Sequence, residues 1–185
     1  MSPLILGIIA IAVFVLAARR ATAPAPPPAG PGSPAPEPAG PPDPGPRPYT
    51  RAELKEIIRD LAQELRYNRP ELAIAVAEVE SSLRADAVNR VDSPASIGLM
   101  QLQLATARYY VAWIDREEQL MDPFTNIRAG IGFLKDLERK HYGNHKIAGV
   151  IQMYNLGETR FLAGKRSPDY LRKVLSKLPS RYAST

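Results

Sequence analysis

Glu80 and Ser81 stand about twenty residues ahead of Gly98-Leu99-Met100-Gln101, and Tyr154-Asn155 follows some fifty residues later. This spacing offers one carboxyl group together with a set of small polar contacts of the kind that hold sugars. The chemistry that such a set can do is general-acid cleavage of a glycan. A carboxyl that must deliver a proton near neutral pH needs an environment that raises its pKa. Taken singly, Glu71, Glu78 and Glu80 each read as ordinary surface glutamates. Only Glu80 combines the end of a predicted helix with apolar neighbours, Leu83, Leu99 and Met100, that would desolvate it. Unpaired carbonyls at that helix end disfavour a second negative charge and act in the same direction.

The elements that must position these groups read as helices. Thr50-Arg51-Ala52-Glu53 is a capping-box pattern, after which Leu54, Ile57, Ile58, Leu61 and Leu65 recur at helical spacing. Asn68-Arg69-Pro70-Glu71 opens a second helix that runs to about Ser82 with Leu72, Ala75, Val76 and Val79 on one side. A third is expected over Thr106–Ile114. A fourth opens at Asp122-Pro123, with the stripe Ile127, Ile131, Leu134 and Leu137. A fifth is expected over Lys146–Leu156, stopped by Gly157. The last is capped by Ser167-Pro168 and runs through Leu178. No convincing period-two alternation appears, so at most a short hairpin is expected across Val88–Gln103.

Four motifs in this order resemble the soluble lytic transglycosylases, the branch of the lysozyme superfamily near goose-type lysozyme. They are Glu80-Ser81-Ser82-Leu83-Arg84-Ala85-Asp86-Ala87-Val88-Asn89; Ser96-Ile97-Gly98-Leu99-Met100-Gln101-Leu102 with Ala105-Thr106-Ala107; Asp122-Pro123 with Asn126-Ile127-Arg128-Ala129-Gly130; and Met153-Tyr154-Asn155-Leu156-Gly157. Tyr170-Leu171-Arg172-Lys173-Val174 is similar to the family's closing helix, and the resemblance spans roughly residues 50–178. It implies a mainly α, lysozyme-like domain that needs no cofactor and acts on peptidoglycan glycan strands. It implies that Glu80 protonates the glycosidic oxygen between N-acetylmuramic acid and N-acetylglucosamine. Glu80 then takes the proton of the muramoyl 6-hydroxyl as that oxygen closes onto C1, leaving a 1,6-anhydromuramoyl end.

On this resemblance the substrate-binding residues are Ser81, Ser96, Gly98, Met100, Gln101, Tyr154, Asn155 and Tyr170. Ser81 would hydrogen-bond the acid or a sugar, or simply end its helix. Gly98 would let backbone approach the sugar. Met100 would be a flexible apolar wall or part of the core. Gln101 has a donor and an acceptor for an acetamido group. The Tyr154 hydroxyl is expected to point at Glu80 or the substrate, and Asn155 to hold the acetamido group or brace the loop. Tyr170 would contact the site or only pack. The chain departs from the family pattern at Met153, at Leu156 and at Gln103-Leu104, without loss of a reactive group.

Two other readings stand beside this one. A water-using muramidase needs a second carboxylate facing the cleft, because ordinary glycosidases work with a spaced pair; Asp86, Asp92 and Glu158 are its candidates. A non-catalytic wall-binding scaffold would keep the fold and lose the chemistry. His141 and His145 lie four apart with Gly143 between them and no third ligand nearby, so no metal is expected.

Composition sets the surroundings. Residues 1–20 contain an uncharged run, Leu4 to Ala18, closed by Arg19-Arg20. This is the pattern of a membrane anchor, although Arg19 and Arg20 follow the run and would by the positive-inside rule face the cytoplasm. A cleaved signal peptide is the alternative, with Ala21-Thr22-Ala23 before Pro24 as its poor cleavage site. Delivery within a virion or an envelope-spanning machine would also bring the enzyme to the wall. In residues 21–48 thirteen of twenty-eight are proline. Such a segment forms no core and acts as a semi-rigid tether, reaching roughly 85 Å if it is fully polyproline-II. Residues 49–185 are long enough for one helical domain. The chain has no cysteine and a formal charge of +5. That balance suits an anionic wall polymer or membrane surface. Without basic blocks interleaved with aromatics, it argues against nucleic acid.

Overall fold

The computed structural model describes residues 48–91 and 94–182. The expected anchor over residues 1–20, nearly all of the proline-rich tether and Asp92 lie outside the described residues. Among the described residues no helix is long and apolar enough to cross a membrane.

Helix α1 (Arg51–Glu64) begins with the expected capping box. The Glu53 amide donates to the Thr50 hydroxyl at 3.2 Å, and the Thr50 amide donates to the Glu53 carboxylate at 2.8 Å. Helix α2 (Pro70–Ser81) buries every residue from Leu72 to Ala77. Apolar on every side over these six residues, it lies at the centre of the domain, and it packs on α1, α4 and α6. It stops where Ser82 (φ 57°) and Leu83 (φ 58°) both take left-handed backbone. The Leu83 amide reaches back to the Ala77 carbonyl to close the end. Two successive non-glycine residues in that region cost on the order of 1 kcal/mol each or more, directly after Glu80-Ser81.

The hairpin is present but minimal. Strands β1 (Val88–Asn89) and β2 (Ser96–Ile97) pair antiparallel, Val88 opposite Ile97 and Asn89 opposite Ser96. Helix α3 (Leu104–Tyr110) starts two residues earlier than expected and stops sooner. Gln103 is extended and serves as its cap, and Val111 returns to extended backbone so that its side chain and that of Ile114 turn into the core.

The expected fourth and fifth helices form one run, α4 (Pro123–Leu156), broken at Lys146 (φ 54°, ψ −170°). Asp122 caps its start, accepting from the Thr125 amide at 2.8 Å. Ile127, Ile131, Leu134 and Leu137 form the buried stripe before the break, and Val150, Ile151, Met153 and Tyr154 are buried after it. Gly157 ends α4 as expected, but it also opens a short helix that the periodicity did not reveal, α5 (Glu158–Leu162). Helix α6 (Pro168–Leu175) is shorter than expected, giving way to turns before Leu178. Its start is tied to α4, the Ser167 amide donating to Gln152 Oε1 at 3.0 Å.

Candidate active site

Glu80 is the penultimate residue of α2 and is half-buried. The Tyr170 hydroxyl, from the first turn of α6, donates to Glu80 Oε1 at 2.6 Å. Burial pushes the Glu80 carboxyl up to about 7, while the Tyr170 bond, which favours the carboxylate, pulls the other way. A carboxyl in that range exists in both forms near neutrality and so can act as an acid or as a base. Burial, reinforced by the Glu80 charge, raises the Tyr154 and Tyr170 phenols well above their ordinary range, so both remain protonated donors.

Glu80 opens into a cleft of about 370 Å³. The hairpin contributes Asn89 and Ser96, which are paired opposite one another. The loop before α3 contributes Gln101 and Gln103, the end of α4 contributes Tyr154 and Asn155, and α5 contributes Arg160. An adjoining lobe of about 260 Å³ shares the wall from Ser96 to Arg160 and adds Thr106, Phe133 and Gly157. The two lobes share one wall and make a groove lined largely by amides and hydroxyls. These groups match the hydroxyls and acetamido groups of a sugar strand, and Glu80 is the only carboxylate among the described residues that lines it.

The loop under the groove is pinned by groups expected to touch substrate. The Ser81 hydroxyl donates to the Leu99 carbonyl at 2.7 Å and accepts from the Arg84 amide at 3.1 Å, so it faces inward. Met100 is wholly buried. A Cβ on Gly98 (φ +76°) would collide with the Leu120 carbonyl and the Asn126 side chain. The close approach that this glycine permits is therefore to Asn126, beneath the groove. Fully buried Asn126 accepts from the Met100 amide at 2.7 Å and donates to the Ile97 and Leu120 carbonyls at 2.9 and 3.0 Å. Tyr154 lines the groove, but its hydroxyl donates to the Met100 carbonyl at 2.9 Å rather than to Glu80. Gln101, itself in left-handed backbone (φ 48°), gives both amide hydrogens to the Gly98 and Ala87 carbonyls. Its Oε1 is what remains to meet a ligand.

Of the residues singled out in the sequence, the structure thus gathers Glu80, Ser96, Gln101, Tyr154 and Asn155 around the groove. It brings Tyr170 onto the acid and sets Ser81, Gly98 and Met100 below. Asn89, Gln103 and Arg160 line the groove without having been singled out. Asn89 needs the strand register to be found, and Arg160 needs the unforeseen α5. The two candidate second carboxylates among the described residues lie elsewhere. Asp86 is exposed beside a different cavity with Tyr49 and Met121, and Glu158 pairs with His141 Nε2 at 2.9 Å.

The sequence profile of the transglycosylase SLT domain matches residues 59–173, well over half of the chain, from the middle of α1 to the closing turns of α6. No curated protein matches the chain. With the helical lysozyme-like architecture and the profile in agreement over the whole groove, the chain belongs to the transglycosylase SLT domain family.

Proposed function

We propose that this protein is a peptidoglycan lytic transglycosylase with Glu80 as its single acid and base. Membership of the SLT domain family points to peptidoglycan cleavage. The observation that carries the finer reading is the Glu80 carboxyl, the one carboxylate among the described residues that lines the groove, raised to about 7 and held by Tyr170. In the first half of the reaction Glu80 gives its proton to the glycosidic oxygen as the bond to muramoyl C1 breaks. The substrate's own acetamido group shares the positive charge at C1. Glu80, now a carboxylate stabilised by the Tyr170 hydroxyl, takes the proton from the muramoyl 6-hydroxyl, and O6 bonds to C1. Glu80 ends protonated and no water is consumed, so a second carboxylate has no task. A pair about 5 Å or more apart is the requirement of hydrolytic glycosidases, which must activate a water or form a covalent intermediate. Asn155, Ser96 and the Gln101 carbonyl would orient the acetamido and hydroxyl groups. Release of anhydromuramoyl products from purified peptidoglycan by the wild-type chain, and none by Glu80→Gln, tests this reading.

The place of action is a proposal from the sequence alone. The apolar run at residues 4–18 and the proline-rich segment at 21–48 suit a domain held at a membrane, or within a virion, with a short reach over the wall. Protease protection in vesicles tests it: a domain found on the cytoplasmic side would exclude simple membrane export.

A further inference from the structure

We propose that Arg160 is a specificity-determining residue that binds a carboxylate carried by the lactyl arm of the muramoyl sugar. This rests on the lytic transglycosylase reading of the groove. Arg160 lines both lobes and is the one cation among their described wall residues. Asn89, Ser96, Gln101, Gln103 and Asn155 are neutral groups that suit uncharged sugars; a guanidinium is made for an anion.

Its setting keeps that charge available. Arg160 sits in α5 between two anchored residues. Phe161 is buried, with the His145 ring edge-on at 5.3 Å and the Arg166 guanidinium over its face at 4.3 Å. Glu158, the acid two residues away, is committed to His141 at 2.9 Å and to Lys140 at 3.6 Å. Among the described residues no carboxylate pairs with Arg160, although its side chain is exposed. Nor does Arg160 act on the acid. Burial and the Tyr170 bond account for the state of Glu80, with no contribution from a cation. A guanidinium close to Glu80 would lower its pKa and oppose proton delivery. Arg160 thus shares the cavity with Glu80 and leaves its guanidinium for another group of the substrate.

The backbone sugars of peptidoglycan are neutral. Their carboxylates hang from the lactyl arm, either as the acids of an attached peptide or, once the peptide is removed, as the bare lactyl acid. Both sources present the same chemistry to Arg160.

The test uses the full chain and three glycan substrates: peptide-bearing strands, strands stripped of peptide by an amidase, and strands whose carboxyls have been converted to neutral methylamides. Binding is read in the Glu80→Gln background with and without Arg160→Gln or Arg160→Lys, and turnover is read in chains that keep Glu80. Arg160→Gln is expected to weaken binding to carboxylate-bearing strands and raise KM about tenfold, with kcat little changed, as for a partly exposed charge-assisted contact. Arg160→Lys should restore part of the loss, and on methylamide strands all forms should bind alike. A difference on stripped strands assigns the lactyl acid, and one confined to peptide-bearing strands assigns a peptide carboxylate. Equal binding by all forms to charged strands would overturn the proposal, as would an equal loss on charged and neutralised strands. Full activity of the Glu80→Gln chain would instead sink the single-acid reading, while the binding comparison would still decide the role of Arg160.

Discussion

The Tyr170 hydroxyl of α6 donates to Glu80 Oε1 of α2 at 2.6 Å, joining residues ninety positions apart in the chain. The bond stabilises the carboxylate that forms when the acid has given up its proton, and it restrains the rise in pKa that burial imposes. Tyr170→Phe removes both effects. The alkaline limb of the pH–rate profile, set by an acid that titrates at about 7, should move to higher pH. At pH 5, where Glu80 is protonated in either form, turnover should fall about tenfold for loss of one hydrogen bond to a developing charge. Peptidoglycan clearing measured across pH checks this, and an unmoved limb would mean that Tyr170 does not tune the acid.

A carboxyl held at about 7 also burdens the fold. Below about pH 4.5 Glu80 is neutral in both the folded and the unfolded chain; above about 7 it is charged in both. Between these limits the native state keeps a proton that the unfolded chain has lost, so stability falls as pH rises, by at most about 3 kcal/mol. Glu80→Gln lacks this slope. It should be more stable than wild type at pH 8 by on the order of 2 kcal/mol and nearly equal to it at pH 4. Denaturant melts at the two pH values measure the difference, and parallel pH dependence in the two proteins would contradict it.

Ser81 sits beside the acid in sequence yet serves the loop below it. Ser81→Ala leaves the Leu99 carbonyl and the Arg84 amide short of a partner. A loss of about 1–2 kcal/mol follows. The expected signature is a lower Tm with KM nearly unchanged; a raised KM at constant Tm would instead make Ser81 a sugar contact.

Two glycines of positive φ should respond differently to alanine. Gly157 (φ +82°, ψ 146°) has open space where a Cβ would lie, so Gly157→Ala meets backbone strain alone, about 2 kcal/mol in a region that is nearly glycine-only. Gly98→Ala adds a collision with the Leu120 carbonyl and the buried Asn126 amide, which hold the loop under the groove. It should cost about 3 kcal/mol or more and depress activity together with Tm. Thermal melts of the two variants side by side give the comparison.

Much of this arrangement was readable from residue types. Apolar spacing located α1, α2 and both segments of α4, because each buries a stripe or a whole surface against the same core. The carboxyl at the end of α2 and the polar residues after it identified the groove. What eluded the sequence depends on backbone that periodicity does not encode. The inward turn of Ser81, Gly98 and Met100 follows from left-handed backbone at Ser82, Leu83 and Gln101. The contribution of Arg160 follows from a five-residue helix too short to show a pattern. Tyr154 and Tyr170 illustrate the same limit. Both are tyrosines within reach of one acid in the fold, and only the approach of α6 to α2 decides that Tyr170 makes the bond.

Cleavage by a single acid without water is read by digesting purified peptidoglycan with the full chain in ¹⁸O-enriched water and weighing the released muropeptides. A single-acid reaction gives 1,6-anhydromuramoyl ends that carry no ¹⁸O and disappear with Glu80→Gln. Reducing muramic ends carrying ¹⁸O would contradict it and make the protein a hydrolase.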